Sequence, residues 1–455
     1  MLYIYVVSII LFLIAVVFEK VYLIEYIVLY SCLITIYFFL KRLSKKFIFI
    51  DLLILISTIQ YLLAPYFAYQ IFNENNELAV LWDTYMKVPK LEYYMFVLPA
   101  TLLFFIGLKL PISYYSRISD VTYINNLKKY LEVKGNLSVI LLFTGVIFTF
   151  INPILPKILQ GIFNYFSQLT FVGVFYALFS NYKNKIIIVL VAILVLLVQC
   201  VLTGMYGELV FWSLLISTLK LMDFNVNFFN KLIFLIFGVF LIFIIQSIKH
   251  EYRAKTWGEN MVRGSDPKYF GELVIKNLSN PSQIFELERV FGMANRINQG
   301  SLIAQTMNYV PKHEPFANGE TVINSILASF VPRLIWTNKP MSGGREMIVR
   351  FLGAPSDLEY SYNISPLGEA YVNFGKIGGS FFMLIYGLFF SWVFSKILKL
   401  SNIYPSLILW IPIIFLGPIQ SIEGDILSAV NSLIKALFFT WAMYFGFRVF
   451  LKIKL

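Results

Sequence analysis

Seven of the ten arginines, both histidines and twelve of the twenty-five carboxylates lie in residues 249–376. Guanidinium groups at that density are built for phosphate, because a planar fork of donors matches its oxygens. Asn280-Pro281 predicts a helix start, with the helix running to about Met307. On it Arg289 and Arg296 share one face. Two turns separate them, about 10.5 Å, a spacing that brackets a pyrophosphate. The same pair also fits an ordinary solvated face balanced by Glu286 and Glu288. From 321 to 336 the apolar residues recur at helical spacing, which predicts an amphipathic helix on a membrane interface. Arg333, between Pro332 and Trp336, would there meet a lipid-borne diphosphate or snorkel to lipid phosphates. Gly343-Gly344-Arg345, with Arg350 and Lys339, makes a further basic cluster. Its glycines let backbone amides approach an anion, or they only turn the chain.

Proton transfer has fewer candidates. His313, in Pro311-Lys312-His313-Glu314-Pro315, is a loop histidine fit for a general base or merely exposed. His250 is a weaker second. Glu369, in Ser365-Pro366-Leu367-Gly368-Glu369-Ala370-Tyr371, would take a proton from a sugar hydroxyl if partly desolvated, or pair with a loop arginine. Arg253 stands near the start of the polar stretch. Gly375, Gly378 and Gly379 follow no strand, so they are not a dinucleotide fingerprint. The ionisable residues inside apolar runs are Glu25, Asp51, Glu208 and Lys435. They are functional candidates by default, with structural pairing, Glu208 to Lys435 for example, as the alternative.

The elements that must hold these residues are membrane helices. Of the 455 residues, 59% are hydrophobic and 14% charged, against about a quarter charged in soluble domains. Twelve runs can span a bilayer, near 2–18, 22–40, 47–70, 94–114, 136–152, 158–180, 186–203, 206–222, 230–248, 377–395, 402–420 and 428–450. The first lacks a basic n-region and a cleavage site, and reads as a retained helix. With the N-terminus inside, the cytoplasmic connections and C-terminus carry 18 basic residues against three acids. The short outer connections carry four against seven. That alternation accounts for most of the net charge of +12 and removes nucleic acid as its explanation. Both termini are then cytoplasmic, and 249–376, with 14 basic and 12 acidic residues, is one large folded loop outside. The expected organisation is nine helices in 1–248, the site-bearing loop in 249–376 and three helices in 377–455, an all-α polytopic membrane protein.

Cys32 and Cys200 both sit in apolar runs, so neither a disulfide framework nor a metal site is indicated. There is no Walker motif, metal-ligand cluster or nucleophile elbow. Chemistry on the outer face cannot use cytoplasmic nucleotides, so its energy must arrive in the substrate. A sugar on a polyprenyl diphosphate meets that need. The diphosphate is a good leaving group, and arginines stabilise its charge without a metal or cofactor.

Three stretches resemble the Wzy family of oligosaccharide repeat-unit (O-antigen) polymerases. They are Lys249-His250-Glu251-Tyr252-Arg253, Phe330-Val331-Pro332-Arg333-Leu334-Ile335-Trp336 with Lys339-Pro340, and Pro366-Leu367-Gly368-Glu369-Ala370-Tyr371 with Phe374-Gly375. The layout, many spans and a large outer loop in the later half, is also similar. The resemblance implies the all-helical, metal-independent membrane glycosyltransferase fold shared with O-antigen ligases. It implies transfer of a growing glycan from undecaprenyl diphosphate to an incoming lipid-linked unit, at the outer face of the bacterial cytoplasmic membrane. A chain-length-regulating co-polymerase would be a partner. It further implies that Arg253 and Arg333 bind diphosphate and that Glu369 is the base or orients the acceptor. His313 has no matching motif and is a rival base. A ligase or a flippase is the alternative function. Relatives described with two arginine-rich outer loops differ, since only one is arginine-rich here.

Overall fold

The computed structural model describes residues 2–20, 22–115, 120–222, 224, 226–256, 265–280, 286–331, 333, 335–355, 362–450, 452 and 455. Its described secondary structure is helical throughout. The first part holds α1 (Leu2–Val17), α2 (Leu23–Arg42), α3 (Phe49–Thr58), α4 (Ala64–Gln70), α5 (Glu77–Leu81), α6 (Lys90–Tyr115) and α7 (Asp120–Leu131). Then come α8 (Gly135–Ile151), α9 (Lys157–Ser167), α10 (Leu169–Phe179), α11 (Lys185–Thr203), α12 (Gly207–Leu221) and α13 (Phe228–Thr256). The polar stretch contains α14 (Pro267–Ser279), α15 (Leu287–Ile297), α16 (Gln299–Tyr309), α17 (Glu320–Phe330) and α18 (Arg345–Leu352). Last are α19 (Ser365–Leu400), α20 (Ile411–Gln420) and α21 (Ile426–Val449).

Among the described residues nine helices are long and apolar enough to cross a membrane. Of the other three expected runs, α1 and the segment Pro405–Gln420 fold as shorter apolar helices, and α12 is a 15-residue helix. The polar stretch is not a loop at its start, because α13 continues without a break through Thr256. The single helix expected from Asn280 is two. Asn280 is the C-cap of α14, and Asn298, at φ −89 and ψ 81, separates α15 from α16. Pro281 lies outside the described residues.

Alternate connections meet at opposite ends of the bundle. Glu25 pairs with Lys90 at 2.8 Å and Glu92 with Lys376 at 3.0 Å at one end. At the other, buried Asp51 accepts from Lys109 at 2.6 Å and Arg42 at 3.1 Å. These pairs place Glu25 and Asp51 in structural contacts. Glu208 and Lys435, on α12 and α21, form no ion pair with each other.

The helices α6 and α19 cross in close backbone contact. A Cβ on Gly107 would lie 2.3 Å from the Leu384 carbonyl oxygen, and one on Gly387 2.4 Å from that of Phe104. Glycine at both positions lets the two backbones touch, as in membrane helix pairs. Gly375, at φ 65 and ψ −164, breaks α19. Beyond the break a Cβ on Gly379 would meet the Ala370 carbonyl oxygen at 2.9 Å. In a continuous helix those residues would stand about 13.5 Å apart. Residues 365–374 therefore fold back against the helix that begins after Gly375, and this reversal carries Glu369 into the bundle.

Candidate functional site

Glu369 is 1% exposed. Thr321 at the start of α17 donates its hydroxyl to Oε1 at 2.9 Å, and the Ile426 backbone N–H at the start of α21 donates to Oε2 at 2.9 Å. Among the described residues no cation pairs with it, so the expected ion pair with a loop arginine is not formed. The proton-transfer expectation needs substrate contact, and here α17 and α21 cover the carboxyl. Asn373, one turn along on the same helix, fixes the arrangement. Its amide donates to Thr321 Oγ1 at 2.7 Å and to the Glu369 carbonyl at 2.8 Å, while its Oδ1 accepts from Gly319 N at 3.0 Å.

The turn before α21 brings two more carboxylates. Asp425, 3% exposed, caps α21 by accepting from Ser428 N at 2.6 Å. Its second oxygen faces the Gly343 amide at 3.4 Å. Gly343 and Gly344 both have positive φ, 123° and 78°, so the glycine pair makes a turn whose first amide already faces a carboxylate. Glu423 takes Arg296 at 2.6 Å and the Gln60 side-chain amide at 2.5 Å. Gln60 lies in the π-helical segment Ile59–Leu63 between α3 and α4, and the adjacent Tyr61 hydroxyl donates to Ile422 O at 2.7 Å. A π segment re-aims side chains and is common at functional positions.

The arginines divide by their partners. Arg289 donates to Glu251 at 2.6 Å, to Asn277 at 2.9 Å and to Ser247. It ties α15 to α13 and α14, and is not placed to bracket a ligand with Arg296. Its contact with Glu286, at 3.6 Å, is the helix-face pairing expected of a structural residue. Arg350 joins Glu314 at 2.6 Å to Glu320 at 3.1 Å and locks the start of α17 to α18. Arg253 donates from Nε to Gly204 O at 2.8 Å at the α11–α12 turn. Arg345 is exposed at the start of α18. His313 is exposed, with its ring 4.9 Å from that of Tyr309. The side chain of His250 lies outside those described.

Arg333 and Lys339 follow α17, which ends at Phe330, six residues short of Trp336. The helix buries Val322, Ser325 and Ala328 and exposes Ile323, Ile326, Leu327 and Phe330. It packs small residues inward and offers its large apolar face outward. Arg333 is exposed, and among the described residues its one hydrogen bond is a 3.5 Å contact to Pro340 O. Lys339 donates to Val331 O at 3.1 Å. Burial, and then Arg333 beside it, pull the Lys339 amine below the ordinary lysine range. The sites thus fall into an interior carboxylate cluster, a set of arginines spent on tertiary ion pairs, and a cationic tip in which Arg333 is exposed and Lys339 half-buried.

A family model described as a domain of unknown function, DUF8712, matches residues 10–454. The chain belongs to that family. No curated protein and no solved structure matches it. In this DUF8712 protein the match runs through all the helices that build the cluster, from α2 to α21. Thr321, Asn373 and Asp425 were not singled out from sequence. Asn373 carried a usable signal, since it stands four residues after Glu369 on a helix and so shares its face. Asp425 had another, an N-cap carboxylate three residues before Ser428. Thr321 had none, because its meeting with Glu369 depends on the fold-back at Gly375.

Proposed function

We propose that this protein is a membrane glycosyltransferase that extends a glycan carried on a polyprenyl diphosphate, of the oligosaccharide-polymerase type. The observation that carries the reading is the cationic tip of exposed Arg333 and half-buried Lys339 beside the outward apolar face of α17. A lipid-linked diphosphate has the matching parts, an anion next to a long hydrocarbon. In the reaction the bond from the sugar C1 to the diphosphate oxygen breaks and one to the acceptor hydroxyl oxygen forms. The hydroxyl proton is lost and the diphosphate leaves as an anion held by the guanidinium and ammonium groups.

In this reading Glu369 is a positioning residue. It ties α17 to α21 and so fixes the tip relative to the bundle. Arg345, exposed at the start of α18, is the further cation assigned to the second diphosphate or the glycan, whereas Arg296 is occupied by Glu423. His313 is the exposed residue able to accept the acceptor proton. The location is the outer face of the bacterial cytoplasmic membrane, with the charge alternation as its support. The test is deletion of the gene. Cells should then display single repeat units on their carrier lipid. Long glycans left unattached would point to a ligase, and loss of all outer repeat units to a flippase; either result would end the polymerase reading.

A further inference from the structure

Lys435 lies nine residues past Ile426 on α21, about 13.5 Å along the helix. It is exposed, and a lysine within a membrane-length helix is costly unless something compensates its charge. Among the described residues no carboxylate pairs with it. The charged side chain brought to its level is another cation, Lys339.

The path of the chain explains how Lys339 arrives there. Thr321 meets Glu369, which meets Ile426, so α17 and α21 start side by side. The two helices pack against each other, and eleven residues of α17 cover about 16 Å. Lys339 is bonded to Val331 at the far end of α17. The chain then returns to Asp425 through Gly343. The described residues of 320–343 form a hairpin laid along the first half of α21, and its tip brings Arg333 and Lys339 to the level of Lys435.

Below Lys435 the same face of α21 continues with Phe438, Trp441 and Phe445, exposed by 64%, 60% and 51%. Their spacing of three and four residues makes one continuous apolar rail. Three cations in series, with no carboxylate between them among the described residues, need an anion. The rail beyond needs a hydrocarbon chain.

We infer that Lys435, with Arg333 and Lys339 at the hairpin tip, forms a membrane-level site for the phosphate of a lipid whose chain lies along Phe438, Trp441 and Phe445. The identity of that lipid as a polyprenyl diphosphate rests on the function proposed above; the phosphate site itself does not.

The test uses the full chain in lipid nanodiscs and a photoreactive polyprenyl diphosphate, with polyprenol and phosphatidylglycerol as competitors. Lys435→Met should weaken labelling roughly tenfold or more, the scale of one lost charge-assisted contact. Lys435→Arg should retain it, and polyprenol should not compete. If phosphatidylglycerol competes equally and with the same dependence on Lys435, the phosphate site stands and the transferase reading loses its support. Labelling of Lys435→Met equal to wild type would overturn the inference. Should that variant fail to reconstitute, Arg333→Met reads the same site from the exposed tip, and unchanged labelling there would overturn it equally.

Discussion

The carboxyl of Glu369 accepts the backbone N–H of Ile426 at 2.9 Å, across 57 residues of sequence. That bond joins the folded-back start of α19 to the first turn of α21. With the Thr321 hydroxyl on its other oxygen, Glu369 is the pin on which α17 is mounted.

Removing the pin should therefore cost structure and function together. Glu369→Ala leaves a buried N–H and a part-buried hydroxyl without their acceptor, about 1–3 kcal/mol for the N–H and less for the hydroxyl. The purified variant should melt at a lower temperature and produce no extended glycan. Glu369→Gln keeps one acceptor oxygen and should fall between the two in thermal unfolding.

Asn373→Ala should mimic a milder form of the same loss. It removes the amide that orients Thr321 and the acceptor for Gly319 N. Thermal unfolding should show a smaller decrease than for Glu369→Ala. Because the two residues share one network, the double variant should lose less than the sum of the single losses.

Arg350 and Arg333 should separate cleanly. Arg350→Ala breaks ion pairs to Glu314 and Glu320 that are partly exposed, about 0–1 kcal/mol apiece, and should lower the melting temperature slightly. Arg333→Ala touches one weak contact and should leave melting unchanged while abolishing chain growth. Melting curves and glycan gels on the same preparations check both.

Gly107→Val should fail to fold. Its side chain would enter the space of the Leu384 carbonyl, 2.3 Å from the ideal Cβ position. Backbone in a close helix crossing cannot retreat as a flexible side chain can. Size-exclusion chromatography after detergent extraction should show aggregate in place of a single species, whereas Gly161→Ala, with nothing within 4 Å, should elute as wild type.

Long apolar runs were legible in the sequence because a helix that crosses lipid must satisfy its backbone internally and cover itself in hydrocarbon. The break between Asn152-Pro153 and the following run is an example, since Gly135–Ile154 and Leu159–Phe179 are separate spans. The basic residues were legible as a group, but their division was not. Arg289 and Arg296 sit two turns apart on one helix, yet one is occupied by Glu251 and the other by Glu423, partners 38 residues before and 127 after in the chain. Local spacing carries no information about such partners. The same holds for Glu369, whose burial follows from the reversal at Gly375. Gly375 was read as part of a discarded nucleotide motif and of a resemblance stretch, neither of which predicts a reversal.

The most direct test of the central claim is reconstitution. Purified protein in nanodiscs, given only a lipid-linked repeat unit and no nucleotide, should build a ladder of longer lipid-linked glycans and release one polyprenyl diphosphate per step, with Arg333→Ala producing neither. A folded wild-type protein that leaves the substrate as single units would contradict the account.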